Sequence, residues 1–155
     1  MKNTITPRDP DFERRVRASF AKQAAMHTLG ATLERVAPGE VELALPFRDD
    51  LTQQHGFLHA GIVTAVVDSA CGYAALSLME PGAAVLSVEF KVNLLAPARG
   101  TRFRAIGRVV RAGRSLTVVT GELRAFESED ASDGSVVAIM TGTMMSVRDR
   151  PGLSD

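Results

Sequence analysis

The sequence has no Trp, a single Cys and a single Tyr. One Cys excludes an intrachain disulfide framework and a cysteine-based zinc site. Net charge is missing too: 18 Lys and Arg balance 18 Asp and Glu, so no global field draws nucleic acid or an anionic membrane. The opening MKNTITPRDP lacks the apolar core of a secretory signal. There is no internal repeat and no low-complexity segment. What remains is a chain of 155 residues, long enough for one domain with its own core. It reads as soluble and cytoplasmic, with neither nucleic acid nor membrane as a partner.

One stretch stands apart. From Phe57 to Met79 the only fully charged side chain is Asp68, and a carboxylate in apolar surroundings is penalised in its ionised form. Ala, Leu and Met are plentiful, so a helix is predicted from about Ala60 to Met79, stopped by Pro81-Gly82. The Asp in its middle and the amphipathic strands downstream argue against a membrane span. At about 100° per residue, Gly61, Thr64, Ala65, Cys71, Gly72 and Ala75 share the face of Asp68. All are small, so another backbone can come close there. Ile62, Val66 and Tyr73 fall on the far side, which suits packing against a sheet.

Around this helix the chain divides into an N-terminal arm and helix (1–28), a main domain (29–147) and a tail (148–155). Asp9-Pro10-Asp11 offers an N-cap, and Phe12, Val16, Phe20 and Ala24 form one apolar stripe on a helix running to about Met26. Arg14, Arg15, Arg17 and Lys22 cover much of its other side as a solvated face. Leu29–Val36 and Val41–Pro46 alternate as strands about the turn at Pro38-Gly39. After the helix come four strand-like runs, 84–95, 101–111, 115–126 and 135–147, with Arg102, Arg104 and Arg108 outward. The order β, β, long helix, four β predicts an α+β domain with antiparallel strands wrapped around a central helix. The arm is expected to be loose and the tail frayed.

Several residues together resemble the hotdog-fold acyl-CoA thioesterases of the PaaI-like (phenylacetate-pathway) branch. They are His59-Ala60-Gly61, then Asp68 on the same helix, then Ser87-Val88-Glu89-Phe90-Lys91-Val92-Asn93 and Pro97-Ala98. The resemblance implies a hotdog fold, a homodimer or dimer of dimers, no cofactor, and hydrolysis of acyl-CoA. It assigns Asp68 as nucleophile or general base and the Ala60 N–H as the group that polarises the thioester carbonyl. Gln53 matches a loop Asn or Gln that holds the acyl end or the water, and Ser87 a strand hydroxyl beside the carboxylate. His59 and Gly61 fall in the substrate-binding motif. Ala60 departs from the usual Gly, which a main-chain donor tolerates provided its φ is negative.

Elementary geometry supports this scheme. A helix start presents unpaired N–H groups and about half a positive charge, which suits an oxyanion. Asp68 lies eight residues past Ala60, roughly 12 Å along the axis. One substrate atom cannot sit about 3 Å from both groups of a single helix, so the carboxylate must come from a second helix, which the resemblance implies belongs to a partner subunit. Cys71 lacks a local motif and reads as packing. His55 and His59 share no face and lack further ligands, so no metal is expected, and His27 has no context. Lys91 to Arg124 holds eight basic residues against one acid, Glu122. Among them Arg99, Arg111 and Arg114 are candidates for the coenzyme A phosphates. The acyl group is expected to be medium-chain aliphatic, with an aryl-CoA (phenylacetyl or hydroxybenzoyl) as the alternative. Rival functions are a non-catalytic acyl-CoA-binding hotdog protein and a hydratase, which would need a catalytic His paired with an acid.

Overall fold

A computed structural model describes residues 5–155. The chain runs α1 (Phe12–Lys22), α2 (Ala24–Leu29), β1 (Thr32–Ala37), β2 (Glu40–Pro46), a 3-10 turn (Asp49–Leu51), α3 (Ala60–Leu76), then β3 (Ala84–Leu94), β4 (Arg102–Ala112), β5 (Leu116–Phe126) and β6 (Ser135–Val147). All strand pairs are antiparallel, in one sheet ordered β1-β2-β4-β5-β6-β3. The sheet wraps α3, which packs against β2, β3, β4, β5 and β6. This is the predicted α+β hotdog arrangement. Among the described residues no helix is long and apolar enough to cross a membrane.

Period-two patterning explains the inner face. Val41, Leu43 and Leu45 of β2, Phe103, Ala105 and Val109 of β4, and Val119 and Leu123 of β5 are buried against α3. Outward positions on β2, β4 and β5 carry Glu40, Glu42, Arg104, Arg108, Glu122 and Arg124. Arg104 and Arg108 pair across strands with Glu42, Glu40 and Glu122, and Arg124 pairs with Glu122 along β5.

The helix lies unusually deep at one spot. Gly107 and Gly121 are register partners on β4 and β5. A Cβ on Gly107 would stand 2.3 Å from the Ala70 carbonyl carbon, and one on Gly121 would stand 2.6 Å from the Cys71 sulfur. Only glycine permits that approach. The small residues of α3 therefore do admit another backbone; it is the sheet's, and it arrives at Ala70 and Cys71.

Four expectations need correction. The first helix is two, broken at Gln23, whose extended backbone (ψ 91°) ends α1 and begins α2. Arg15 is not part of a solvated face: it is buried, donating to the carbonyls of Leu76 (2.9 Å), Met79 (2.8 Å) and Glu80 (2.5 Å) and pairing with Asp9 at 3.3 Å. The guanidinium thus closes the C-terminal end of α3, where unpaired carbonyls and the negative end of the dipole lie. The described part of the arm is tied down by that same pair. The tail is docked too: Arg148 reaches Glu80 at 2.7 Å and the Asp155 carboxylate accepts from Ser19 Oγ at 2.7 Å.

β3 forms one edge of the sheet, bonded only to β6. Leu86, Val88 and Phe90 on it are 41%, 53% and 44% exposed. A long apolar edge with free N–H and C=O groups is a template for another strand.

Candidate active site

The N-terminal end of α3 is built by the loop before it. Gln53 N–H donates to Phe57 O at 2.8 Å and Gly56 N–H to Gln53 O at 3.0 Å, closing a tight turn that delivers the chain to His59. His59 is the N-cap, and its Nδ1 accepts from the Gly61 N–H at 2.9 Å. That contact places the ring proton on Nε2. A Cβ on Gly61 would meet His59 Nδ1 at 3.1 Å, so glycine there leaves room for the cap. With His59 O accepting from Ile62 and Val63, the Ala60 N–H is left without a partner among the described residues. It stands at a cavity of about 440 Å³ lined by Gln53, Phe57, Leu58, Val63, Leu94 and Val137, among others. Asp149 is the one non-glycine described residue with positive φ, so Ala60 meets the condition its methyl imposes. The Gln53 carboxamide oxygen accepts from the His55 N–H, which leaves its NH₂ as the unshared donor.

Asp68 faces a different cavity. It is half-buried, and Ser87 Oγ donates to its carboxylate at 2.8 Å while also lying 3.3 Å from Met144 Sδ. Burial pushes the Asp68 carboxyl above its ordinary range, and the Ser87 hydrogen bond partly opposes that rise. The cavity, about 300 Å³, is walled by Ser19, Lys22, Gln23, Ser69, Tyr73 and Asp155 beside Asp68 and Ser87. Tyr73 is thus not turned away from Asp68 toward the sheet, as helical spacing predicted. It packs edge-on against Phe20 of α1, with ring centroids 5.7 Å apart, and shares the Asp68 cavity. The reason is that α1 lies on that flank of α3, so the helix has two packing neighbours rather than one.

The predicted residues therefore assemble into two groups. Gln53, His59, Ala60 and Gly61 meet at the helix start; Asp68 and Ser87 meet eight residues on. Arg99 stacks over Phe57, a wall of the Ala60 cavity, at 5.5 Å. Arg111 and Arg114 sit at the opposite end of the sheet, beside the turn closed by Gly113 N–H to Leu116 O, and do not join Arg99 within one chain. Of the eight basic residues from Lys91 to Arg124, Arg102, Arg104, Arg108 and Arg124 are ion-paired. Lys91, Arg99, Arg111 and Arg114 have no ion pair among the described residues. Cys71 is buried against the sheet, with its thiol pushed up to about 12 by burial and by Asp68. It is inert. Missed in the sequence were Ser19, Lys22, Gln23 and Asp155. Ser19 and Gln23, four apart on one helix face, were the available signal; for Asp155 there was none.

The profile of the thioesterase superfamily matches residues 55–132. A thioesterase family protein of known structure from Silicibacter pomeroyi is 54% identical, superposes with a TM-score of 0.85, and is matched over 89% of this chain and 99% of its own. A Halobacterium salinarum protein, described by name as a candidate esterase, is 34% identical over 119 residues, 74% of this chain and 77% of the relative. The Escherichia coli PaaI protein from the phenylacetic acid degradation operon is 18% identical with a TM-score of 0.78, over 88% of this chain and 94% of its own, a likeness of fold. The chain belongs to the thioesterase superfamily, and it is a thioester hydrolase of the hotdog fold.

Proposed function

We propose that the protein hydrolyses acyl-CoA at a site shared between two copies of the chain, as in the PaaI-like branch. The observation that carries the reading is the separation of two half-sites on one helix. An unpartnered Ala60 N–H opens to one cavity, and a carboxylate of raised basicity opens to another. Roughly 12 Å of helix lies between them. Pairing of two β3 edges is the natural route by which a second copy supplies the missing half.

In that site the Ala60 N–H binds the thioester carbonyl and then the oxyanion, a contribution near 10²–10³-fold per donor. Asp68 drives the attack, either by taking a proton from water or as nucleophile itself. As base, Asp68 lets water add to the carbonyl carbon before the C–S bond breaks. As nucleophile, it adds itself, and the C–S bond breaks to leave an Asp68–acyl anhydride that water then hydrolyses. In both routes the sulfur leaves as thiolate to be protonated. Free acid and CoA are the products. Ser87 holds the carboxylate, and the Gln53 NH₂ holds the water or acyl carbonyl side. His59 and Gly61 shape the helix start against the substrate.

Arg99, cationic at the mouth of the Ala60 cavity, suits the CoA end. Arg111 and Arg114 suit its phosphates only when contributed by the second copy. The acyl group then extends into the Asp68 cavity. Its volume fits a medium-length aliphatic chain, and each buried methylene adds about 0.8 kcal/mol until the cavity ends. An aryl-CoA is the second reading, favoured by the Tyr73 ring in that cavity. A single buried thiol suits a reducing, cytoplasmic setting.

A panel of acyl-CoA thioesters with free-thiol detection tests the proposal. Aliphatic substrates should lead phenylacetyl- and hydroxybenzoyl-CoA in kcat/KM, and Asp68→Asn should lose ~10²–10⁴-fold in kcat. Retention of a tenth of kcat by Asp68→Asn would remove Asp68 from the chemistry. A tenfold advantage for an aryl thioester would reverse the substrate choice.

A further inference from the structure

The cavity beside Asp68 is not closed by α3 and the strands alone. Ser19, Lys22 and Gln23 come from the α1–α2 junction and Asp155 from the tail. This far wall is polar. The Gln23 carboxamide oxygen accepts from Ser69 Oγ at 3.3 Å, so its NH₂ is the unshared donor. The Asp155 carboxylate is held by Ser19 Oγ at 2.7 Å and by the Val85 N–H at 3.2 Å, and retains further lone pairs as acceptors. Burial raises the Tyr73 hydroxyl above its ordinary range, so it stays neutral and can donate or accept.

Resting on the reading above, in which the acyl group enters the Asp68 cavity, we propose that this wall selects acyl groups carrying a hydroxyl at their far end, with Gln23 and Asp155 as the specificity-determining residues. A hydroxyl both accepts and donates, so it satisfies the Gln23 NH₂ and the Asp155 carboxylate together. A terminal methyl leaves the Gln23 NH₂ without a partner and the remaining Asp155 lone pairs unused. A terminal carboxylate cannot donate to Asp155 and carries the same charge, with Lys22 as the one cation of that wall among the described residues. A site built to hydrogen-bond a hydroxyl discriminates against the analogue lacking it far more strongly than an apolar pocket discriminates by size.

The test is kcat/KM for three CoA thioesters of one chain length: the straight-chain acyl, its terminal hydroxy analogue and its terminal carboxy analogue. The wild type should favour the hydroxy substrate over the straight chain by about tenfold or more. Gln23→Leu should bring that ratio to about one, and Asp155→Asn should raise the carboxy substrate by about tenfold relative to the straight chain. Ser69→Ala, which frees Gln23 without filling the cavity, should weaken the preference in the same direction and serves if Gln23→Leu does not fold. Equal or better turnover of the straight chain by the wild type overturns the proposal, as does an unchanged ratio in the variants. Failure of the underlying reading looks different: no thioester of the three is cleaved, or Asp68→Asn cleaves all three as well as the wild type.

Discussion

Ser87 donates a 2.8 Å hydrogen bond to the one carboxylate on α3, across from the strand to the helix. It stabilises the charged form of Asp68 against the burial that disfavours it. Ser87→Ala should therefore move the Asp68 pKa further up, not down. With Asp68 as the proposed base, which must be ionised to act, the acid limb of kcat against pH moves to higher pH. A profile that stays in place would mean Ser87 does not act through Asp68.

Asp68 also leaves a mark on stability. Its folded pKa is raised, so its contribution is fully present below the ordinary carboxylate range and is lost as pH rises through the raised folded value. Asp68→Asn lacks that loss. Its Tm should equal or exceed the wild type at neutral pH, and the gap should narrow as pH falls into the carboxylate range. A variant destabilised at neutral pH would show that the carboxylate is structural.

The proposed shared site has its own signature. Asp68→Asn lacks the base, and Gln53→Ala weakens the other half. Mixed in equal amounts with subunit exchange confirmed by native mass spectrometry, the two should regain activity, because one of the two sites in a hybrid dimer carries both intact halves. A mixture that exchanges and stays inactive places both halves in one chain.

Arg15 is expected to matter for folding alone. Arg15→Met removes the partner of the Leu76, Met79 and Glu80 carbonyls and leaves Asp9 buried, a change that costs roughly 3–5 kcal/mol for a buried pair. Urea denaturation measures it, and pairing Arg15→Met with Asp9→Asn should recover part of the loss. A cost below about 1 kcal/mol would contradict the burial described.

Much of this was legible beforehand because it was periodic or punctuated. Alternation marked all six strands within a few residues, and Pro81-Gly82 marked the end of α3 within a turn. His59-Ala60-Gly61 and Asp68 stood out as two separate stations on α3, and they open on separate cavities. What escaped depended on contacts between distant segments. Arg15 looks like its solvated neighbours Arg14 and Arg17 until the carbonyls of residues 76–80 arrive beside it. Tyr73 looks sheet-facing until a second helix lies against the same flank. Asp155 looks like a loose tail until Ser19 and Val85 hold it.

The seat of α3 on Gly107 and Gly121 has a consequence for how this enzyme can change. A methyl added to Gly107 would meet helix backbone at 2.3 Å, and backbone cannot rotate out of the way. The helix must lift, carrying Ala60 and Asp68 with it as one rigid rod. In the proposed symmetric pair, both rods move at once, so the gap between the Ala60 donor and the Asp68 base widens from two sides. On that proposal the spacing of the chemistry is set by two missing side chains that no substrate touches. Variation that retunes this enzyme is expected in the cavity walls, where it acts locally, while the glycine pair holds the overall scale.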